Sequence, residues 1–390
     1  MPLHERHADH IHYSLKKEIN EFYWSSAIKN FAVGLVGLFG PIYVFLYFQQ
    51  SVINTIIFYL LQYVAIILFI PFAARTLKKW GLKKSMAIGN PFLSLYLLSL
   101  MMAGMYGFNF IILAGIARVL YIILFFPTRH VDFAKFASSK KMTHQLGTLN
   151  IIITLVKVAA PFLGGIIIVT LGFNILFIIS SILIFLSMMP LFFSPEIYEH
   201  YSLSWLKTFK YPFKKENKRT TLAFFFEGME AVVIAIIFSI FIYTVIGDFE
   251  TIGWITSASL LLLIFFIYFI GWITDKKGNK KVLSIASVVN SLSWIANAFI
   301  ATPLQYLFYN SAYKLTESAS HLPFNSLFYK NAHNKGHGVD EYVVYHEIVL
   351  NFGRILMCLI IIFGFYFGVT SFLPYFIIAS LAVFMFRIIK

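Results

Sequence analysis

The chain is predicted to be an all-α integral membrane protein with twelve transmembrane helices in two pseudo-symmetric six-helix bundles, and three observations lead there. Of its 390 residues 59% are hydrophobic and 12% charged, with a mean hydropathy of +0.79, whereas soluble domains carry about 25% charged residues. Apolar runs near the ~20 residues that a spanning helix needs recur along the whole length. The basic residues, finally, gather in alternate connectors only.

Apolar runs between polar breaks place helices at 26–48, 52–73, 85–104, 109–127, 145–170, 173–193, 220–246, 251–273, 282–300, 303–327, 342–366 and 370–387. With the N-terminus in the cytoplasm, the inner segments hold Arg75, Lys78, Lys79, Lys83 and Lys84, then Arg129, Lys135, Lys140 and Lys141, then the run from Lys207 to Arg219, then Lys276 to Lys281, Lys330, Lys335, Arg387 and Lys390. The outer loops hold no Lys or Arg, and their charged residues are Asp248 and Glu250. This asymmetry follows the positive-inside rule and puts both termini in the cytoplasm of a multi-pass protein of the cytoplasmic membrane. The longest inner connector, 194–219, carries Pro195 and Pro212 and divides a bundle at 26–193 from one at 220–390. Ile11, Leu15, Ile19 and Phe22 in segment 1–25, and Leu203, Leu206 and Phe209 in the connector, recur at helical spacing beside Lys residues. Both stretches are expected to form short interfacial helices on the inner leaflet.

Several chemistries drop out. The formal charge of +14 is spread between apolar runs rather than over a soluble face, so a nucleic-acid partner is not expected. The single Cys358 excludes a disulfide within the chain. His4, His7, His10 and His12 have no accompanying Cys or carboxylate cluster, so neither a metal nor any other cofactor is expected. There is no phosphate-binding Gly-x4-Gly-Lys-Ser/Thr loop, no Gly-x-Ser-x-Gly nucleophile turn, and the pair His346-Glu347 lacks a second His at metalloprotease spacing. An enzyme or an ATP-driven pump is therefore not expected.

Gly271-Trp272-Ile273-Thr274-Asp275-Lys276-Lys277-Gly278-Asn279-Lys280-Lys281 joins two apolar runs and reads Gly-x3-Asp-x2-Gly-x-basic-basic. It resembles the cytoplasmic loop signature of the major facilitator superfamily (MFS). The resemblance implies that Gly271 permits close helix approach, that Asp275 caps a neighbouring helix, and that Lys280 and Lys281 hold the loop at the inner face. After the second run, Ala74-x3-Lys78-x2-Gly81-x-Lys83-Lys84 aligns with it, and Arg118 and Lys314 each precede a proline, Pro127 and Pro323, by nine residues. Such matches suggest internal duplication, the parallel six-span repeat of that superfamily with its site between the halves. Gly147-x8-Val156-x3-Ala160-Pro161-Phe162-Leu163-Gly164-Gly165 is similar to its antiporter-associated pattern, with Val156 and Ala160 replacing two glycines. Pro161, Gly164 and Gly165 are read either as a transport-direction element or as a kinked packing surface.

Arg118, Lys157, Glu227, Glu230, Lys314, Glu317 and Arg354 fall within predicted spans, where each charge costs about 2.5–3.5 kcal/mol at the centre. Glu227 and Glu230 share a helix face, which suits a proton-binding pair; alternatively they are hydrated near the inner surface and pair with Lys29 or a loop Lys. Lys314 and Glu317 either pair with each other, or Lys314 joins Arg118, facing it from the other half, on a substrate carboxylate or phosphate while Glu317 exchanges protons. Glu347, Asn351 and Arg354 fall on one face and suggest a structural network, with Arg354 also a candidate substrate contact. Lys157 has no acid in its own half and is a candidate gate or substrate contact. The expected function is secondary active transport of a small molecule by a monomeric carrier that exchanges protons across the bilayer. Proton-coupled efflux of an amphipathic compound leads; uptake or exchange of an organic anion, and a non-transporting lipid-handling or sensor protein, are the alternatives.

Overall fold

A computed structural model describes residues 24–136, 142–192, 196, 198, 201 and 205–389. Both expected N-terminal features, the interfacial helix and the histidine cluster, lie outside these residues, as does Leu203. Among the described residues there are helices and no strand, and twelve long helices run back and forth. They are α1 (Trp24–Tyr47), α2 (Val52–Trp80), α3 (Leu82–Tyr106), α4 (Phe108–Phe136), α5 (142–171), α6 (173–186), α7 (Lys218–Ile246), α8 (Phe249–Lys277), α9 (Asn279–Asn297), α10 (Pro303–His333), α11 (Val339–Tyr366) and α12 (Leu373–Phe384). α5 breaks at Ala159, just before Pro161, and the chain reverses into α6 at Gly172, whose φ of 81° is open to glycine.

Helices α2, α4 and α10 run several residues past the predicted apolar stretches. Apolarity ends where the hydrocarbon ends, whereas a helix continues until a residue breaks it. Gly81 and Gly278 are two such breaks, with φ of 81° and 83° at the α2–α3 and α8–α9 junctions. These are the two positions that the internal repeat aligns, and both take a conformation costly for any other residue.

Eight helical stretches among the described residues are long and apolar enough to cross a membrane, one of them spanning both α5 and α6. α9 and α10 are more polar because their polar groups meet each other. Asn290 donates to Ser320 Oγ at 2.8 Å, Thr316 to Ser293 Oγ at 3.0 Å, and Asn279 to Ser326 Oγ at 3.0 Å. Polar seams of this kind hold helices together where lipid offers no hydrophobic drive. Large side chains such as Phe265, Phe269, Phe308 and Leu261 are exposed on the outside, as a lipid-facing surface requires.

The two groups of six helices meet along α2–α11 and α5–α8. On α5–α8 the contact is nearly backbone on backbone: a Cβ at Gly165 would overlap the Phe249 carbonyl, and one at Gly253 the Pro161 carbonyl. The N–H of Phe162, freed at the α5 break, donates to Ser257 Oγ at 3.0 Å on α8. Within the second group, Gly228 of α7 and Gly353 of α11 make the same kind of approach to Leu350 and Phe225.

Candidate functional site

Charged and titratable side chains converge between the groups in the half of the helices nearest the basic connectors. On α7, Glu227 and Glu230 are one turn apart, yet each has its own partner. Glu227 Oε2 lies 3.0 Å from His346 Nε2 of α11. Glu230 Oε2 lies 3.1 Å from His321 Nε2 of α10, and its Oε1 accepts from Trp294 Nε1 of α9 at 3.2 Å. Glu230 is 1% exposed, and a carboxylate so placed requires partners of this kind. Neither forms an ion pair with Lys29, the partner the sequence offered.

The network continues across the molecule. Glu347 Oε1 lies 4.0 Å from His346 Nδ1 and 3.7 Å from Nε2 of His130 on α4. His130 Nδ1 meets the Tyr329 hydroxyl of α10 at 2.8 Å, and His333 Nδ1 faces the Ala134 carbonyl at 2.9 Å. Phe133 packs on Tyr329 with ring centroids 4.7 Å apart. The first and second groups of helices are thus closed against each other at the basic end by α4, α10 and α11, and the closing contact carries titratable atoms. His130 and His321 were not singled out from the sequence, and His346 was weighed there only as half of an incomplete metalloprotease motif. Their signal is histidine inside an apolar run, a residue that can hold or release a proton near neutral pH.

Lys314 and Glu317 form a 2.8 Å pair within α10, 21% and 22% exposed. Arg118 donates to Gln62 Oε1 at 2.7 Å and lies 5.1 Å from the Tyr59 ring. Arg354 lies 5.3 Å from the Tyr63 ring and donates to Asn351 Oδ1 at 3.2 Å, while Asn351 donates to the Glu347 carbonyl at 2.7 Å. Arg118 and Arg354 both act electrostatically on Tyr63, which puts one guanidinium from each group beside the same phenol. The α2–α11 contact brings them there, and helix pairing of that kind is not readable from spacing.

Lys157 borders a cavity of about 250 Å³ on the basic side of α1, α3, α4 and α5, together with Lys29 and Arg129. Lys83, read from sequence as a loop residue, is buried against Asp132 of α4 at 2.7 Å, the pair 2% and 3% exposed. The α2–α3 turn is closed by Glu196, which accepts from the backbone N–H of Lys83 at 2.7 Å and of Lys84 at 3.1 Å. An acid at a helix N-terminus is favourably placed there. It comes from the 194–219 connector and not from the loop itself.

The α8–α9 loop departs from the expectation. A Cβ at Gly271 would meet nothing within 4 Å, so that glycine makes no close helix approach. Asp275 is exposed and forms no hydrogen bond or ion pair among the described residues, so it caps no helix here. Lys280 and Lys281 are exposed at the loop, as a basic surface facing headgroups would be. Gly164 is a packing residue, since a Cβ there would overlap the Leu35 carbonyl of α1.

No protein-family model matches the chain, and no curated protein matches it in sequence. Solved structures do. The E. coli fucose:proton symporter FucP, as a single-residue variant, superposes with a TM-score of 0.67 at 13% identity, covering 96% of this chain and 98% of that one. FucP described as an MFS transporter in the outward conformation gives 0.66 at 14% identity, with the same 96% and 98% coverage. The fold is that of the major facilitator superfamily. In an MFS fold the surfaces between the two six-helix groups are where a substrate site is built, and the His130–Glu347 pair of this chain crosses that surface.

Proposed function

We propose that the chain is a secondary active transporter that moves a small molecule by alternating access and couples it to protons. The observation that carries this reading is the series His130, Glu347, His346 and Glu227. It runs from the contact that shuts the basic end into the interior of α7, with successive separations of 3.7, 4.0 and 3.0 Å. A proton arriving or leaving anywhere along it changes the charge on a contact between moving halves, which is what coupling a gradient to a conformational change requires. Glu230 with His321 forms a second pair, one helical turn from Glu227, and Glu317 with Lys314 a third. The fucose:proton symporter of the same fold supports the reading by analogy only.

In this reading the basic end faces the cytoplasm of the cytoplasmic membrane, both termini lie there, and a monomer is the working unit. Lys314 and Arg354 join Arg118 and Lys157 as cationic groups near the interface. Import or exchange of an organic anion with protons fits them best. Export of an amphipathic compound is the second reading, favoured by the Tyr121, Phe125 and Phe126 wall of the cavity. The glycines that suggested export from the sequence have a packing role against α1 and α8, which weakens that argument.

The test is proton flux in proteoliposomes enclosing a pH-sensitive dye, challenged with a panel of organic anions and amphipathic cations. Substrate-triggered proton movement should occur in the native chain and be lost in Glu227→Gln and His346→Gln. Substrate-induced dye responses that persist undiminished in both variants would overturn the relay, and flux with no proton movement would overturn the coupling.

A further inference from the structure

We infer that the cavity bordered by Lys29, Arg129 and Lys157 binds a small organic anion through its carboxylate or phosphate. The cavity of about 250 Å³ lies between α1, α3, α4 and α5 and has Ser25, Ser26, Asn30, Tyr121, Phe125 and Phe126 as its other principal walls. The described residues that line it include three basic side chains and no Asp or Glu. Among the described residues none of the three cations forms an ion pair.

Lys29 is the decisive member. It is 6% exposed, and its Nζ is buried without a hydrogen-bond partner among the described residues. The ammonium sits over the face of Phe125, 2.6 Å from the ring centroid, and 4.8 Å from that of Tyr121. Cation–π contacts offset part of the cost of burial, but they accept none of the three N–H bonds that an ammonium donates. A buried cation normally has an anion beside it. Here the nearest charges in the cavity are further cations, Arg129 and Lys157, whose repulsion Lys29 feels. Like charges gathered there are relieved either by loss of a proton from a lysine or by a counter-charge among them, and the described residues that line the cavity include no Asp or Glu to serve as one.

The chemistry of the walls narrows the ligand. Arg129 offers a planar fork suited to two oxygens of a carboxylate or phosphate, and the two lysines are mobile point charges. The three rings provide an apolar surface for the body of the ligand. The volume lies just below the ~300–1,000 Å³ of pockets for drug-sized compounds, so the guest is a small dicarboxylate, an aromatic carboxylate or a phosphate ester. Lys157 also feels Lys314 and Glu317 across the interface. An anion on Lys157 therefore acts on the α10 ion pair of the opposite group. As the identity of the transported substrate, this assignment rests on the transport reading; as a binding site, it does not.

The same oxyanion chemistry is presented by a free solute and by an anionic lipid headgroup, and the experiment separates them. The purified full chain in neutral detergent is titrated with inorganic phosphate, succinate and phthalate, with thermal unfolding and calorimetry as readouts. In parallel the chain is placed in nanodiscs of phosphatidylcholine with and without phosphatidylglycerol. Saturable stabilisation by at least one soluble anion is expected, with a Kd raised at least tenfold in Lys29→Gln and in Arg129→Gln. Without ligand, Lys29→Gln should unfold at or above the native temperature, because it removes an uncompensated charge; a simple packing role would lower it. Stabilisation by phosphatidylglycerol alone, abolished in Lys29→Gln, would keep the anion site and assign it to a headgroup.

No saturable response to any of the soluble anions together with no effect of phosphatidylglycerol, or native affinity in both variants, would overturn the inference. Binding without proton-linked flux would instead leave the site standing and sink the transport reading. Proton-linked flux of an anion with native Kd in Lys29→Gln would do the opposite.

Discussion

Neutralising Glu347 should unlock the basic end of the molecule and erase its response to pH. The carboxylate lies 3.7 Å from His130 Nε2, across the contact between α11 and α4. For two unit charges at that separation and an effective dielectric constant of about 20, the attraction is about 4 kcal/mol. His130 is 18% exposed, and screening brings the usable part to roughly 2–4 kcal/mol, a shift of about 30- to 1,000-fold between closed and open populations. The groups that face His130 are Glu347 and His346 of α11 and Tyr329 of α10, with Arg129 next in sequence on α4. A proton on His130 favours the closed arrangement through Glu347 and is opposed by Arg129 and by a charged His346.

The assay is the distance between spin labels at Lys135 and Lys330, near the basic ends of α4 and α10, introduced as cysteines after replacing the single native Cys358. Burial, His346 and Arg129 push the His130 imidazole well below the ordinary histidine range, so in the native background the closed fraction should rise only as pH falls below that range. In Glu347→Gln the open fraction should rise at every pH below that range and the pH dependence should flatten. Distance distributions in Glu347→Gln that match the native chain at every pH from 8 down to about 4 would refute the reasoning, because the charge on this contact would then carry no conformational weight.

Four further outcomes follow from the packing. Lys83→Met alone should cost about 3–5 kcal/mol by leaving Asp132 buried and unpaired, while Lys83→Met with Asp132→Leu should recover most of it; thermal unfolding of the two variants checks the cycle. Gly228→Ala should destabilise by about 1–3 kcal/mol, since its Cβ overlaps the Leu350 carbonyl and α7 must move off α11; chemical denaturation in mild detergent measures it. Trp294→Phe should cost about 1–3 kcal/mol by removing one donor from buried Glu230, and should also alter the pH profile of transport. Asp248→Ala should cost about 1 kcal/mol by removing the α8 cap. The Thr251 hydrogen bonds hold the Asp248 carboxyl below its usual range, so this contribution is complete above about pH 4 and is lost as pH falls further; unfolding compared at pH 7 and pH 3 tests it.

Much of the architecture was legible because a membrane leaves so few choices. A span must be long, apolar and helical to satisfy its backbone in lipid, so runs such as 52–73 and 251–273 announced themselves, and α9 and α10 were found despite their polar seam because they fill the alternation. The two glycines at 81 and 278 marked matching turns, since the positive φ at both junctions strongly favours glycine. Charges within spans were conspicuous for the same reason: Glu227, Glu230, Lys314, Glu317 and Arg354 all take part in polar contacts near the interface.

Partners were another matter. A helix presents its side chains every 100°, but which neighbour it meets is set by how twelve helices pack, and nothing in local spacing reports that. Tertiary structure alone decided that Glu227 and Glu230 each face a histidine, that Arg118 and Arg354 share Tyr63 while Lys314 turns to Glu317, and that among the described residues nothing lies within 4 Å of a Cβ at Gly271 and no helix is capped by Asp275. It also buried Lys83 and brought Lys29, Arg129 and Lys157 around one cavity. The sequence determined that these charges had to be accounted for, because burying them without a partner costs several kcal/mol each; only the folded arrangement decided with what.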